Sequence, residues 1–239
     1  MGAPSLRACL LVILRPTVFD GHPTLVAGFT TRAFAGMGQS AVVEARTRLA
    51  HEFGFGAVAS AGQVHGTEVA AVREGGHVPA HDGLVTDKAG LLLTVVSADC
   101  GLVLLADAEA GVVGACHAGW RGAVAGVVET TIGHMQTLGA DPARLLAYVG
   151  PCIGTEAFEV GEEVATLFPP EAVVRRADWP KPHVDLRAAL VGQLRALGVP
   201  DTHVEVSDAC TASDLDRFYS YRAEGGTAGR MLGFIGRHT

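Results

Sequence analysis

Two histidines and a cysteine have side chains able to do chemistry together. They are His65 in Gln63-Val64-His65-Gly66, Cys100 in Ser97-Ala98-Asp99-Cys100, and His117 in the run Gly114-Ala115-Cys116-His117-Ala118-Gly119-Trp120-Arg121-Gly122. Two imidazoles and a thiolate are nitrogen and sulfur ligands of the kind Zn2+ prefers. A catalytic zinc typically keeps three protein ligands and leaves a fourth position to water. His65, Cys100 and His117 are therefore the candidate metal ligands. Their wide separations match no short zinc-finger spacing, so spacing alone does not distinguish a metal site from two satisfied histidines and a small buried cysteine. Gly66, Gly101 and Gly119 beside them allow close approach of other groups. Cys100 and His117 also fit a nucleophile and its base, with Asp99 orienting the base. Residue type does not separate the two chemistries.

Other residues near these motifs carry open alternatives. Along a strand, neighbouring side chains point to opposite faces, so if His117 faces a site then Cys116 faces the core. Cys152, inside Gly150-Pro151-Cys152-Ile153-Gly154, either lines a pocket or packs. Trp120 either anchors a helix or offers an aromatic face. Arg32, Arg121, Arg222 and Arg230 lie near glycines or element ends. Arginines gathered at one pocket would suit phosphate or carboxylate through forked hydrogen bonds, and each taken alone reads as a solvated surface group. Asp99 is either an acceptor for a ligand histidine or a turn residue between strands. There is no Walker loop and no Gly-x-Ser-x-Gly elbow, and Gly54-Phe55-Gly56 lacks the third glycine of a dinucleotide fingerprint.

These residues need elements to hold them. Leu25–Thr31, Ala57–Gly62, Thr67–Val72, Leu91–Ser97, Leu102–Ala106, Val112–His117, Leu145–Val149 and His203–Val206 read as strands. Leu91–Ser97 has little polar interruption, which implies burial on both faces. Val42–Phe53, Trp120–Leu138, Glu162–Phe168 and Asp185–Leu197 read as helices, the last with Asp185 as cap and Gly198 as stop. The stretches 33–40 and Gly75–Gly83 read as loops. Phe218–Arg222 and Arg230–Ile235 read as a final strand pair. Strands and helices mix without regular alternation, which favours a single α+β domain. Residues 1–24 read as an N-terminal extension of open role, and 25–239 as the catalytic domain.

The chain of 239 residues is long enough for a sizeable core, and 49% apolar content marks it as globular. A formal charge of −7 without a basic cluster argues against nucleic-acid partners. No apolar run approaches the roughly 18 residues of a membrane span. The short apolar run Ala8–Leu14 ends at Arg15-Pro16 with no small-residue cleavage site close behind, so it does not read as a secretory signal. Five cysteines, an odd number and mostly far apart, point to reduced thiols and a cytoplasmic setting.

Taken together, Gln63-Val64-His65-Gly66, Ala98-Asp99-Cys100, His117-Ala118-Gly119-Trp120-Arg121-Gly122, Gly150-Pro151-Cys152-Ile153-Gly154 and Ser220-Tyr221-Arg222 resemble the YfiH-type laccase-domain family. Its members carry the labels polyphenol oxidase, purine nucleoside phosphorylase and peptidoglycan editing factor. The resemblance implies an α/β/β/α sandwich similar to cysteine-hydrolase-like domains. It implies zinc on His65, Cys100 and His117, with catalytic roles for Cys100, His117 and Asp99. It further implies phosphorolysis of adenosine, inosine, guanosine and methylthioadenosine, and deamination of adenosine, so purine nucleosides and phosphate are the expected partners. Arg32, Gln63, Arg121, Cys152 and Arg222 are the expected substrate contacts. Metal-free hydrolase or amidase chemistry, copper-type oxidation and non-catalytic metal binding are the rival readings. The chain departs from the family pattern at Leu102, where proline is usual, at Ala223, where a second arginine is common, at Ala45, where asparagine is common, and in a short loop after Arg32.

Overall fold

The computed structural model describes residues 13–34 and 39–239. Residues 35–38 of the segment 33–40, read as a loop around Gly36 and Gly38, and residues 8–12 of the run Ala8–Leu14 lie outside the described residues. In chain order, β1 (Ile13–Leu14) and β2 (Leu25–Thr30) precede helix α1 (Gln39–Glu52). Next come β3 (Ala57–Ala61), β4 (Val69–Ala71), β5 (Gly76–Val78), β6 (Gly83–Thr86), β7 (Leu91–Ser97), β8 (Gly101–Asp107) and β9 (Val112–Ala118). Helices α2 (Trp120–Ala125) and α3 (Val127–Thr137) lead to β10 (Leu146–Val149), the short α4 (Glu162–Ala165), β11 (Val173–Val174) and β12 (His183–Val184). Helix α5 (Leu186–Ala196), β13 (Val204–Val206), α6 (Tyr221–Glu224) and β14 (Met231–Arg237) complete the fold.

Two six-stranded sheets stack face to face, in the orders β1-β2-β14-β7-β3-β5 and β13-β10-β8-β9-β6-β4. Strand alternation assigns each face its layer. Leu91, Leu93 and Val95 meet Leu102, Leu104, Val113 and Ala115 between the sheets. Leu92 of β7 turns the other way and packs with Val42, Ala45 and Leu49 of α1. On the opposite outer face, Val103, Leu105 and Cys116 pack against α3 and α5 through Val128, Ile132, Met135, Leu190 and Leu194. The result is an α/β/β/α sandwich of class α+β, as the resemblance implied.

Residues 13–24, read as part of an extension, run along the first sheet. Ile13 pairs with Thr30 and Leu14 with Phe29, and the single turn Thr17–Phe19 buries Phe19 in the inter-sheet core. Three readings need correction. The helix expected over Trp120–Leu138 is two helices, because Gly126 takes a left-handed conformation at φ 93° and turns the chain between them. The Gly75–Gly83 stretch contains a strand, β5, which pairs parallel with β3; three glycines and a proline disguised it. The expected final hairpin does not form. Ser220 caps the short α6 through its Oγ, which accepts the Ala223 N–H, while β14 inserts between β2 and β7 with both faces buried.

Candidate metal centre

Sheet register brings distant residues together. β8 and β9 are antiparallel, with Gly101 opposite Ala118 and Leu102 opposite His117. Cys100, just before β8, therefore lies beside the end of β9 where His117 sits. β6 pairs with the other edge of β9, Gly83 opposite Cys116, and the His117 N–H donates to the Asp82 carbonyl at 2.7 Å. His65 arrives on the connection between β3 and β4. The ligand atoms of His65, Cys100 and His117 all lie within 4.8 Å of one another. Cys100 Sγ is 3.9 Å from His65 Nε2, and the two imidazoles cross edge to face with centroids 4.9 Å apart.

This donor set fits a zinc ion. Bonds of about 2.0 Å to nitrogen and 2.3 Å to sulfur place tetrahedral ligand atoms about 3.3–3.6 Å apart; the Cys100–His65 pair, at 3.9 Å, lies near that spacing, and all three atoms lie within 4.8 Å. Gly119 leaves the necessary room, since a Cβ there would meet Cys100 Sγ and His65 Cδ2 at 3.0 Å.

Asp82 organises the centre, and no sequence reading singled it out. Its carboxylate is fully buried and accepts from His117 Nδ1 at 2.8 Å. It also accepts the backbone N–H groups of Val64, His65 and Gly66, at 3.0, 3.0 and 2.7 Å. One carboxylate thus fixes the His117 tautomer, turns its Nε2 toward the centre and holds the loop that carries His65. In sequence Asp82 sits in Asp82-Gly83, a pattern that also marks ordinary turns, so the signal was ambiguous. His65 and Gln63 hold positive φ angles of 62° and 52°, conformations that persist only where surrounding bonds enforce them.

Asp99 occupies a different place from the one expected. Its carboxylate accepts from Thr211 Oγ1 at 2.6 Å, Ser220 Oγ at 3.0 Å and the Arg222 N–H at 2.6 Å. It therefore anchors the chain entering α6, while the acceptor position at the ligand histidine belongs to Asp82.

Electrostatics couple Cys100, His117 and Asp82. Burial pushes the Cys100 thiol up, but hydrogen bonds from His117 and His65, and their charges, bring it down to about 6. Burial pulls His117 down, and the Asp82 and Cys100 bonds outweigh it, raising the imidazole to about 9. Desolvation likewise works against Asp82, yet its bonds to His117, Gly66 and Val64 hold it below the usual carboxylate range. Cys116 faces the other way, into the α3 side of the core, where burial pushes its thiol up to about 12.

The centre forms part of the wall of a pocket of about 680 Å³. Trp120, Phe158 and Tyr221 supply aromatic surface, and Gln63, Arg121, Arg222 and Arg230 also line it. Arg121 stacks 4.2 Å over Trp120 and pairs with no carboxylate among the described residues. Arg222 donates to the Ala157 and Glu159 carbonyls. The Gln63 amide brackets the Val96 backbone, donating to its oxygen at 2.6 Å and accepting its N–H at 2.7 Å, so it braces the loop against β7. Two expected substrate contacts fall outside the pocket. Arg32 binds Glu224 at 2.7 Å and the Phe218 carbonyl, and stacks on Tyr219. Cys152 is fully buried, and burial raises its thiol to about 11. Phe158 went unflagged in the sequence because a lone aromatic usually signals core, and Tyr221 entered only as part of Ser220-Tyr221-Arg222.

Residues 30–238 match the family described as "Multi-copper polyphenol oxidoreductase laccase". The chain belongs to this family. A "Purine nucleoside phosphorylase" of Deinococcus radiodurans is 40% identical over 98% of this chain and 93% of its own length. An "Adenosine deaminase RL5" from an unknown prokaryotic organism is 38% identical over 63% of this chain and 60% of its own length. The crystal structure of YlmD from Geobacillus stearothermophilus superposes with a TM-score of 0.84 at 33% identity, covering 99% of this chain and 98% of that one. Among the described residues, no helix is long and apolar enough to cross a membrane.

Proposed function

We propose that the chain is a zinc-dependent purine nucleoside enzyme, cleaving nucleosides with phosphate and deaminating adenosine. The reading rests on the convergence of His65, Cys100 and His117 over Asp82 at an aromatic-walled pocket, and the nucleoside names of the relatives support it. His65 Nε2, Cys100 Sγ and the Nε2 of His117 would hold the ion. When bound, zinc supplies a Lewis acid that lowers the pKa of water to about 7.

The protein's own groups set the conditions for that chemistry. Asp82 keeps the proton of His117 on Nδ1, away from the pocket. Trp120, Phe158 and Tyr221 line the pocket and offer aromatic surface on which a planar base can stack. Arg121, stacked on Trp120 and free of a carboxylate among the described residues, is a cation available for phosphate, and Arg222 also lines the pocket. The family description names copper oxidation. Chemistry of that type takes several metal centres, and His65, Cys100 and His117 form the one group of three close ligands among the described residues.

Zinc-loaded protein given adenosine and phosphate should release adenine, inosine or both, and the H117A variant should release neither. If neither product exceeds the H117A background, the nucleoside reading fails.

A second reading has a specific observation behind it. Cys100 lowered to about 6 beside His117 raised to about 9 makes a thiolate–imidazolium pair in the metal-free protein, the resting state of a cysteine hydrolase or amidase. Chelation separates the two, since it abolishes nucleoside turnover under the first reading and leaves amide hydrolysis intact under the second.

A further inference from the structure

A larger cavity, of about 1070 Å³, lies between α1, the end of β3 and the chain leading into β14. It shares Gly62, Val96 and Arg230 with the metal pocket, so the two are neighbours with a common wall. Two cations line it, Arg46 from α1 and Arg230 before β14, and no carboxylate is among its lining residues.

The state of Arg46 is unusual. Along α1 it follows Val42 by four residues and precedes Leu49 by three, so it borders the stripe that packs against the sheet. Its Nε is buried and has no hydrogen-bond partner among the described residues. Burial alone lowers its pKa, with no neighbouring charge acting on it. A half-buried guanidinium without a counter-charge is costly, and proteins rarely keep one unless something compensates it. Arg230 is also half-buried. It donates one Nη1 to the Ala228 and Gly229 carbonyls and pairs with no carboxylate among the described residues. In a chain of formal charge −7, a cavity holding two arginines and no acid is a local reversal of sign.

We propose that Arg46 and Arg230 form a binding site for a phosphate-class oxyanion beside the metal pocket. Guanidinium forks match the paired oxygens of phosphate, and two of them suit its double charge. The bound anion supplies the counter-charge that Arg46 lacks. The source is either free phosphate or a phosphate ester whose other end reaches past Arg230 into the metal pocket. The site is argued from charge and burial and does not rest on nucleoside turnover, so either can fail without the other.

Calorimetry on the full chain at fixed ionic strength tests it, with inorganic phosphate and adenosine 5′-monophosphate as separate probes. The wild type should bind at least one probe saturably, and R46Q and R230Q should each weaken that binding by about tenfold or more, with R46K retaining part of it. Tighter binding of the ester than of phosphate assigns the site to an ester spanning both pockets, and equal binding assigns it to the free anion. Without ligand, R46Q should melt at or above the wild-type temperature, because it removes an uncompensated charge. Phosphate should then raise the melting temperature of the wild type and not of R46Q. Should R46Q fail to fold, R230Q decides. The proposal is overturned if neither probe binds saturably, if R46Q and R230Q bind as the wild type does, or if R121Q alone removes the binding, which would put the anion in the metal pocket.

Discussion

Two buried carboxylates flank Cys100 and do different work. Asp99 directly precedes it in sequence, and Asp82 lies 18 positions before Cys100, just ahead of β6. Asp82 gathers His117 and the backbone of residues 64–66, so it supports two of the three candidate ligands. Asp99 gathers Thr211, Ser220 and Arg222, so it supports the far wall of the pocket and touches no ligand imidazole. Proximity along the chain pointed to Asp99, whereas the β6–β9 register selects Asp82. At a site built on sheet ends, pairing decides which acid stands behind a histidine.

The largest expected contrast is in metal affinity. Asp82→Asn removes the charge that orients His117 and should weaken zinc binding about 10–100-fold. Asp99→Asn should leave it within about twofold of the wild type, since its bonds lie on the wall. Competition against a chromophoric chelator measures both, and equal losses would erase the distinction.

The next contrast is in the titration of Cys100. With the thiol lowered to about 6, alkylation of metal-free protein should climb through about pH 6 rather than near the ordinary thiol value of about 8.5. The sign follows from the pair. The depressed thiol contributes stability that is lost as pH falls through about 6, and the raised imidazole contributes stability that is lost as pH rises through about 9. Between those limits the ion pair persists. Asp82→Asn withdraws support from the His117 cation and should move the alkylation midpoint upward, while Asp99→Asn should not move it. Cys116 and Cys152, buried and raised, should stay unlabelled across this range.

A smaller effect concerns stability. In zinc-loaded protein, Asp99→Asn should cost about 1–3 kcal/mol in urea unfolding, because it weakens a buried cluster of acceptor bonds. The accompanying rise in KM should exceed any fall in zinc content. The smallest contrast separates two arginines. Arg32→Gln should change nucleoside KM by less than about twofold, because its pair with Glu224, its bonds to the Phe218 carbonyl and its stack on Tyr219 all belong to a side chain outside the pocket lining. Arg121→Gln should raise the KM for phosphate by more, and the reverse order would reassign the anchor.

Much of this was legible in the sequence. His65, Cys100 and His117 stood out by type, and the strand period of Val112–His117 correctly sent Cys116 to the core. Leu91–Ser97, with little polar interruption, read as buried on both faces, and it has one face in each of two cores; the sandwich itself was legible only through the family resemblance. Long-range partners were not legible. Nothing local to Asp82 reveals that it will lie opposite His117, and nothing local to Arg32 reveals that Glu224 will engage it. Gly126 shows a similar limit, because the apolar period runs across the break and only the left-handed φ of one residue divides the helix.

The central claim is that His65 from the β3–β4 connection, Cys100 from the turn before β8 and His117 from β9 form one metal site braced by Asp82. Metal analysis of protein purified without added metal tests it most directly, with wild type, Asp82→Asn and Asp99→Asn run side by side. The account predicts about one zinc per chain in the wild type and in Asp99→Asn, and clearly less in Asp82→Asn. Substoichiometric zinc in the wild type, with Cys100 still open to alkylation, would contradict it.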